Sequence, residues 1–117
     1  ITGLDRPLPE GEEAKYRPRF FGREAALSVF YCRMALETGA NVRVACGVRR
    51  EDGNYLIDAT DPIPMEKRND LIEENVLNAE RVLRPTEDLI RGAKSQWSMF
   101  HPVWPEVLPV VNTLTKR

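Results

Sequence analysis

Histidine is almost missing from this chain: His101 is the only one among 117 residues. The two cysteines, Cys32 and Cys46, form no CxxC pair and no cluster with histidine, so the sequence offers no ligand set for a metal site. Each lies in an apolar run, VFYCRMAL or VRVACGV, where a reduced, buried thiol behaves as a small hydrophobe. An excess of one charge is also lacking, with 17 basic residues against 18 acidic ones. Such a balance produces no long-range positive field, and nucleic acid is not an expected partner. Long apolar runs are absent as well. The longest, AALSVFYCRMAL, is interrupted by Arg33 and falls short of the roughly 20 residues a spanning helix needs.

The length allows one core, which buries roughly two thirds of the surface that an unfolded chain of this size exposes. ITGL reads as the tail of a strand, and a chain that begins on Ile1 with no signal sequence is expected to be a piece of something longer. After Asp5-Arg6-Pro7, the stretch LPEGEEAKYRP is a loop by its proline, glycine and charge. RFFG is a short strand or a helix entry, stopped by Gly22. From Glu24 to Thr38 the residues are apolar on nearly every side, which predicts a helix packed on several faces and ended by Gly39.

Residues 42–49 alternate, with Val42, Val44, Cys46 and Val48 on one face, and that period predicts a strand. Glu51-Asp52-Gly53-Asn54 contains Asp-Gly, a strong hairpin signal, and YLIDAT resumes the alternation. Leu71, Ile72, Val76, Ala79, Val82 and Leu83 recur at three and four residues, predicting a helix over 69–84 that Pro85 breaks. Thr86 is expected to cap a further helix, with Leu89, Ile90, Ala93 and Trp97 facing inward. The order predicts an α/β fold, a layered mixed sheet with flanking helices, over residues 1–106, with 107–117 as a tail.

Four blocks carry a family likeness: Asp5-Arg6, then FFGREAALSVFYCRMALETGANV, then VRREDGNYLIDATDPIP, and finally QWSMFHPVW. Their order and spacing resemble the carboxy-terminal half of the bacterial lipid A biosynthesis acyltransferases, the lauroyl/myristoyl transferases and their phosphatidylinositol-mannoside relatives, within the lysophospholipid acyltransferase-like superfamily. The likeness spans about residues 3 to 106 and implies a partial acyltransferase-like fold. It departs from the family at Met99, where a second aromatic is usual, and at Pro102-Val103, where a basic pair is usual.

The resemblance implies transfer of a fatty acyl group from acyl-ACP or acyl-CoA to a lipid or glycolipid hydroxyl, at a membrane surface on the inner, cytoplasmic side. No cofactor is implied. Such chemistry needs a base for the hydroxyl proton and donors for the oxyanion. In the family, the His-x4-acid base lies upstream of the Asp-Arg step, in the half this chain lacks, so the chain alone is expected to be inactive. His101 falls instead on the histidine of the last block. Pro102 and Pro105 prevent His101 and Glu106 from sharing a helical face, and a packing or membrane-edge role beside Trp97, Phe100 and Trp104 is expected.

By this resemblance Asp5 stands near the reaction centre as the catalytic carboxylate, and Arg6, Gly22 and Arg23 bind substrate. Arginine suits phosphate or carboxylate because its planar fork donates two parallel hydrogen bonds. Plainer roles stand beside these. Asp5 before Arg6-Pro7 fits a turn, Arg6 fits a surface charge, Gly22 fits a demand for backbone freedom, and Arg23 fits a surface pair with Glu24 or Asp5. Arg33, within an apolar helix, needs a partner or a route to water. A different class also fits, a non-catalytic α/β binding or assembly module. Half a sheet leaves an apolar edge open, so a homodimer or higher oligomer is expected.

Overall fold

The computed structural model describes residues 1–4, 6–8, 15–99 and 102–116. The chain mixes α and β structure as expected, but in place of one layered mixed sheet the described residues form two small antiparallel sheets and three α-helices. Strands β1 (Arg19–Phe20) and β2 (Arg23–Glu24) form one hairpin, while β3 (Ala45–Arg49) and β4 (Tyr55–Ala59) form the other. The helices are α1 (Phe30–Thr38), α2 (Leu71–Gly92) and α3 (Leu108–Thr115).

The helix expected from Glu24 starts only at Phe30. Before it, Ala25, Leu27 and Val29 are buried while Ala26 and Ser28 are half-buried, a period of two that belongs to extended chain. Neighbouring backbone decides the matter. Ala26 donates to the carbonyl of Val103 at 2.7 Å and accepts from the amide of Leu8 at 3.0 Å, and Pro7 bridges Leu27. Residues near Asp5-Arg6, the FFG block and the last aromatic block are thereby drawn together. The predicted stop holds: Gly39 adopts φ 72°, and its amide donates to Ala35 at 2.9 Å.

The expected break at Pro85 does not occur, because α2 runs straight through it. Asp70 caps its start, accepting from the amide of Glu73 at 2.7 Å. Proline in a helix interior removes one hydrogen bond and costs about 3 kcal/mol relative to alanine. Packing on both sides of it outweighs that loss. Val82, Leu83 and Thr86 are buried, the Thr86 hydroxyl donates to Val82 at 2.7 Å, and Glu80 and Glu87 accept from the amides of Arg19 and Phe21 at 2.9 and 2.6 Å. Thr86 is therefore an interior residue and caps nothing. Pro85→Ala should stabilise the fold by about 2–2.5 kcal/mol, the helical gain less the entropy proline removes from the unfolded chain. Urea unfolding followed by circular dichroism measures this, and no gain would mean the helix tolerates proline without penalty.

The core has two parts. Phe20, Ala25, Leu27, Leu83 and Val103 form one, against which Phe21, Ile90, Trp97, Met99 and Trp104 pack. Tyr16, Val29, Cys32 and Ala79 form the other, joined by Tyr31 and Met65. The expected tail folds into α3, an apolar helix that buries none of its residues and exposes Val110 and Leu114.

Candidate functional site

The turn between β1 and β2 has two central residues with positive φ, Phe21 at 51° and Gly22 at 77°, the pattern of a type I′ turn. Glycine adopts this conformation without strain, but an aromatic residue does so only when held there. Phe21 is held three ways: its amide donates to Glu87, its ring packs on Phe20, Trp97 and Trp104, and the Arg91 guanidinium stacks over it at 5.0 Å. Trp104 lies stacked on Phe20 at 5.8 Å, and its indole N–H donates to the Phe20 carbonyl at 2.8 Å. Trp97, Met99 and Trp104 of the last block thus pack on the first core cluster, while Phe100 lies outside the described residues.

Gly22 is consequently a backbone position, and its carbonyl accepts from the Arg19 guanidinium at 3.1 Å. Arg23 pairs with Glu106 at 3.3 Å, both side chains being exposed, rather than with Glu24. Glu106, the acid next along the chain from His101, is thus engaged with a guanidinium. Arg6 is exposed, and the neighbouring Pro7 bridges Leu27. Asp5 and His101, the carboxylate and imidazole singled out from the sequence, lie outside the described residues. Arg33 is half-buried in α1 with its guanidinium 5.8 Å from the centre of the Phe30 ring.

Gly22 and Arg23 do not line the main cavity. That is an apolar cleft of about 680 Å³. Tyr31, Met34, Ala35 and Thr38 of α1 meet Val82, Thr86, Leu89 and Ile90 of α2 around it, with residues 42–46, Trp97 and Ile1–Leu4 completing the lining. Its polar groups are mostly turned to their own backbone. The Thr38 hydroxyl donates to Met34 at 2.7 Å, Thr86 is bonded to Val82, and the Arg43 guanidinium donates to the Thr60 carbonyl at 3.2 Å. What faces the cleft is therefore chiefly hydrocarbon. Leu4 places the Asp5-Arg6 step next along the chain from the lining.

The cleft was not legible in advance as a site. Its signal was α1's apolarity on several sides, which implies more cover than the helix receives. Both cysteines are free. Cys32 is buried, and burial pushes its thiol up to about 12, whereas Cys46 is half-buried and borders the cleft. The neighbouring Tyr31 hydroxyl is also raised, chiefly by burial. Among the described residues no three acidic, cysteine or histidine side chains could hold a metal ion, and no helix is long and apolar enough to cross a membrane. No family model, curated protein or solved structure matches the chain.

Proposed function

We propose that this chain is the carboxy-terminal part of a membrane-associated acyltransferase with a partial acyltransferase-like fold, which moves a fatty acyl group from acyl-ACP or acyl-CoA to a lipid or glycolipid hydroxyl. The observation that carries this reading is the cleft: its volume falls within the roughly 300–1,000 Å³ of small-molecule sites, and most of its lining is hydrocarbon. An acyl chain needs no hydrogen bonds, and this cleft offers few. The general base belongs to the portion of the enzyme that carries the His-x4-acid motif. It takes the hydroxyl proton as the oxygen attacks the thioester carbonyl, and the thiolate leaves when the tetrahedral intermediate collapses. Asp5 and Arg6 follow the cleft-lining residue Leu4, where a carboxylate and a guanidinium serve orientation and anion binding.

Cys46 makes a native reporter for acyl binding, because Cys32 is too buried to react at neutral pH. Myristoyl-CoA is expected to slow alkylation of Cys46 about ten-fold or more at saturation, while free CoA leaves it unchanged. Equal rates with and without the acyl chain would sink the reading. A second reading, the non-catalytic α/β assembly module, is favoured by the open β4 edge of the β3–β4 ribbon. Under that reading myristoyl-CoA gives no protection and self-association persists.

A further inference from the structure

The β3–β4 ribbon is a two-stranded sheet, and two-stranded sheets are marginal unless another element covers them. Its ladder fixes the direction of every backbone group. Arg49 donates to and accepts from the Gln96 side chain at 2.8 and 3.0 Å, so its amide and carbonyl point away from its partner Tyr55. Antiparallel pairs alternate between bonded and non-bonded. Val48↔Leu56 and Cys46↔Asp58 are therefore the bonded pairs, and Thr60 keeps the same phase by donating to Val44 at 2.8 Å. Tyr55, Ile57 and Ala59 consequently direct their amides and carbonyls outward, away from β3.

The two edges differ in protection. Gln96 occupies the outer edge of β3 at Arg49 as a strand would. No described residue does this for β4, which is exposed along its whole length. Tyr55 is 72 % and Ile57 70 % exposed. Edge strands are commonly blunted by charged side chains, lysine above all, or by proline. YLIDA has neither lysine nor proline, and its one charge, Asp58, alternates onto the face opposite Tyr55, Ile57 and Ala59.

We infer that β4 is a self-association edge, and that its occupant is β4 of a second copy, paired antiparallel about a two-fold axis through Ile57. The open positions are symmetric about that residue. Ile57 meets Ile57 of the second copy, Tyr55 meets its Ala59, and each outward amide finds an outward carbonyl. Tyr55, Ile57 and Ala59 also share one face, so a single apolar strip crosses the dyad. Charge agrees with this orientation. The basic pair Arg49-Arg50 of one ribbon lies towards the Asp61 end of the other, while Asp52 is turned onto its own Asn54 at 2.9 and 3.1 Å. A net charge of −1 opposes self-association little. The contact is narrow, a strand of five residues and so about 17 Å long. That is less than the roughly 800 Å² per partner of a stable interface requires, so the dimer forms and dissociates with concentration. The inference holds independently of acyl transfer.

Hydrogen exchange on the full chain reads the interface residue by residue. Raising the protein concentration should slow exchange at the amides of Tyr55, Ile57 and Ala59 and leave Leu56 and Asp58, already bonded to β3, unchanged. Light scattering over the same range should show a dimer. Ile57→Pro deletes an outward amide without touching the β3–β4 ladder, and it should weaken association by about ten-fold or more. Ile57→Lys should do the same by a different route, which guards against a proline-specific distortion. Leu114→Lys on α3 should leave the dimer intact. A monomer at every concentration overturns the inference, as does a dimer that survives both Ile57 changes or is lost with Leu114→Lys.

Discussion

Trp104→Ala should lower the unfolding free energy by about 3–5 kcal/mol, the range for truncating a large aromatic in a core. Trp104 is half-buried and sits over Phe20, whose side chain is completely enclosed. Its removal opens the first core cluster and leaves the Phe20 carbonyl without the indole donor. It also loosens the end of the segment whose Val103 carbonyl holds the amide of Ala26. Trp104→Phe retains one stacked ring and loses the hydrogen bond with part of the indole's packing, so about 1–2 kcal/mol should go. Urea denaturation of the three proteins separates packing from polar contributions. The same pair bears on the lipid-interface role for this aromatic block. A tryptophan working chiefly at a membrane would, on truncation, weaken vesicle binding and leave stability nearly unchanged.

Asn78→Ala is expected to have an effect of about 2–3 kcal/mol, because it strands two backbone groups at once. Asn78 is completely buried in α2 and binds Glu66 as a neighbouring strand would. Its amide oxygen accepts from the Glu66 N–H and its nitrogen donates to the Glu66 carbonyl, both at 2.8 Å. One turn earlier the buried Glu74 accepts from the amide of Arg68 at 2.7 Å, and Arg81 and Arg68 both pair with the Glu66 carboxylate. The segment from Pro64 to Arg68 is thus fastened to the helix by side chains, with no ladder of its own. Exchange at the Glu66 amide should accelerate in Asn78→Ala well beyond the global loss of stability. A variant in which stability falls but Glu66 stays protected would show that the clamp is not what holds the segment.

These two residues mark the boundary of what a linear reading can reach. Asn78 gave no signal, since an asparagine within a helical period looks like a solvated position. The partner it satisfies is a backbone group in an irregular segment that no periodicity announces. Trp104 was legible as a packing residue because large aromatics are usually buried, but the surface it covers was not. Arg23 was expected to bind substrate or to pair locally, and it meets Glu106 from the far end of the chain. The cleft was invisible for a similar reason: its lining is drawn from both helices, β3 and the first four residues.

By itself the sequence determined what depends on neighbours along the chain. The Asp52-Gly53 turn, the stop at Gly39 and the alternation within 42–49, paired as a strand from Ala45, are local choices of dihedral angle and side-chain direction, and they hold. The apolar face expected over 71–83 holds only at Ala79, Val82 and Leu83, since Leu71 and Ile72 are exposed while Glu74, Asn75 and Asn78 are buried. Tertiary structure decided wherever a local preference met a stronger distant partner. Ala25–Val29 extend because Leu8 and Val103 supply backbone hydrogen bonds, and α2 passes Pro85 because buried side chains outweigh one missing donor. A propensity is worth about a kilocalorie per residue or less for most residues, and burial of a few apolar side chains exceeds it.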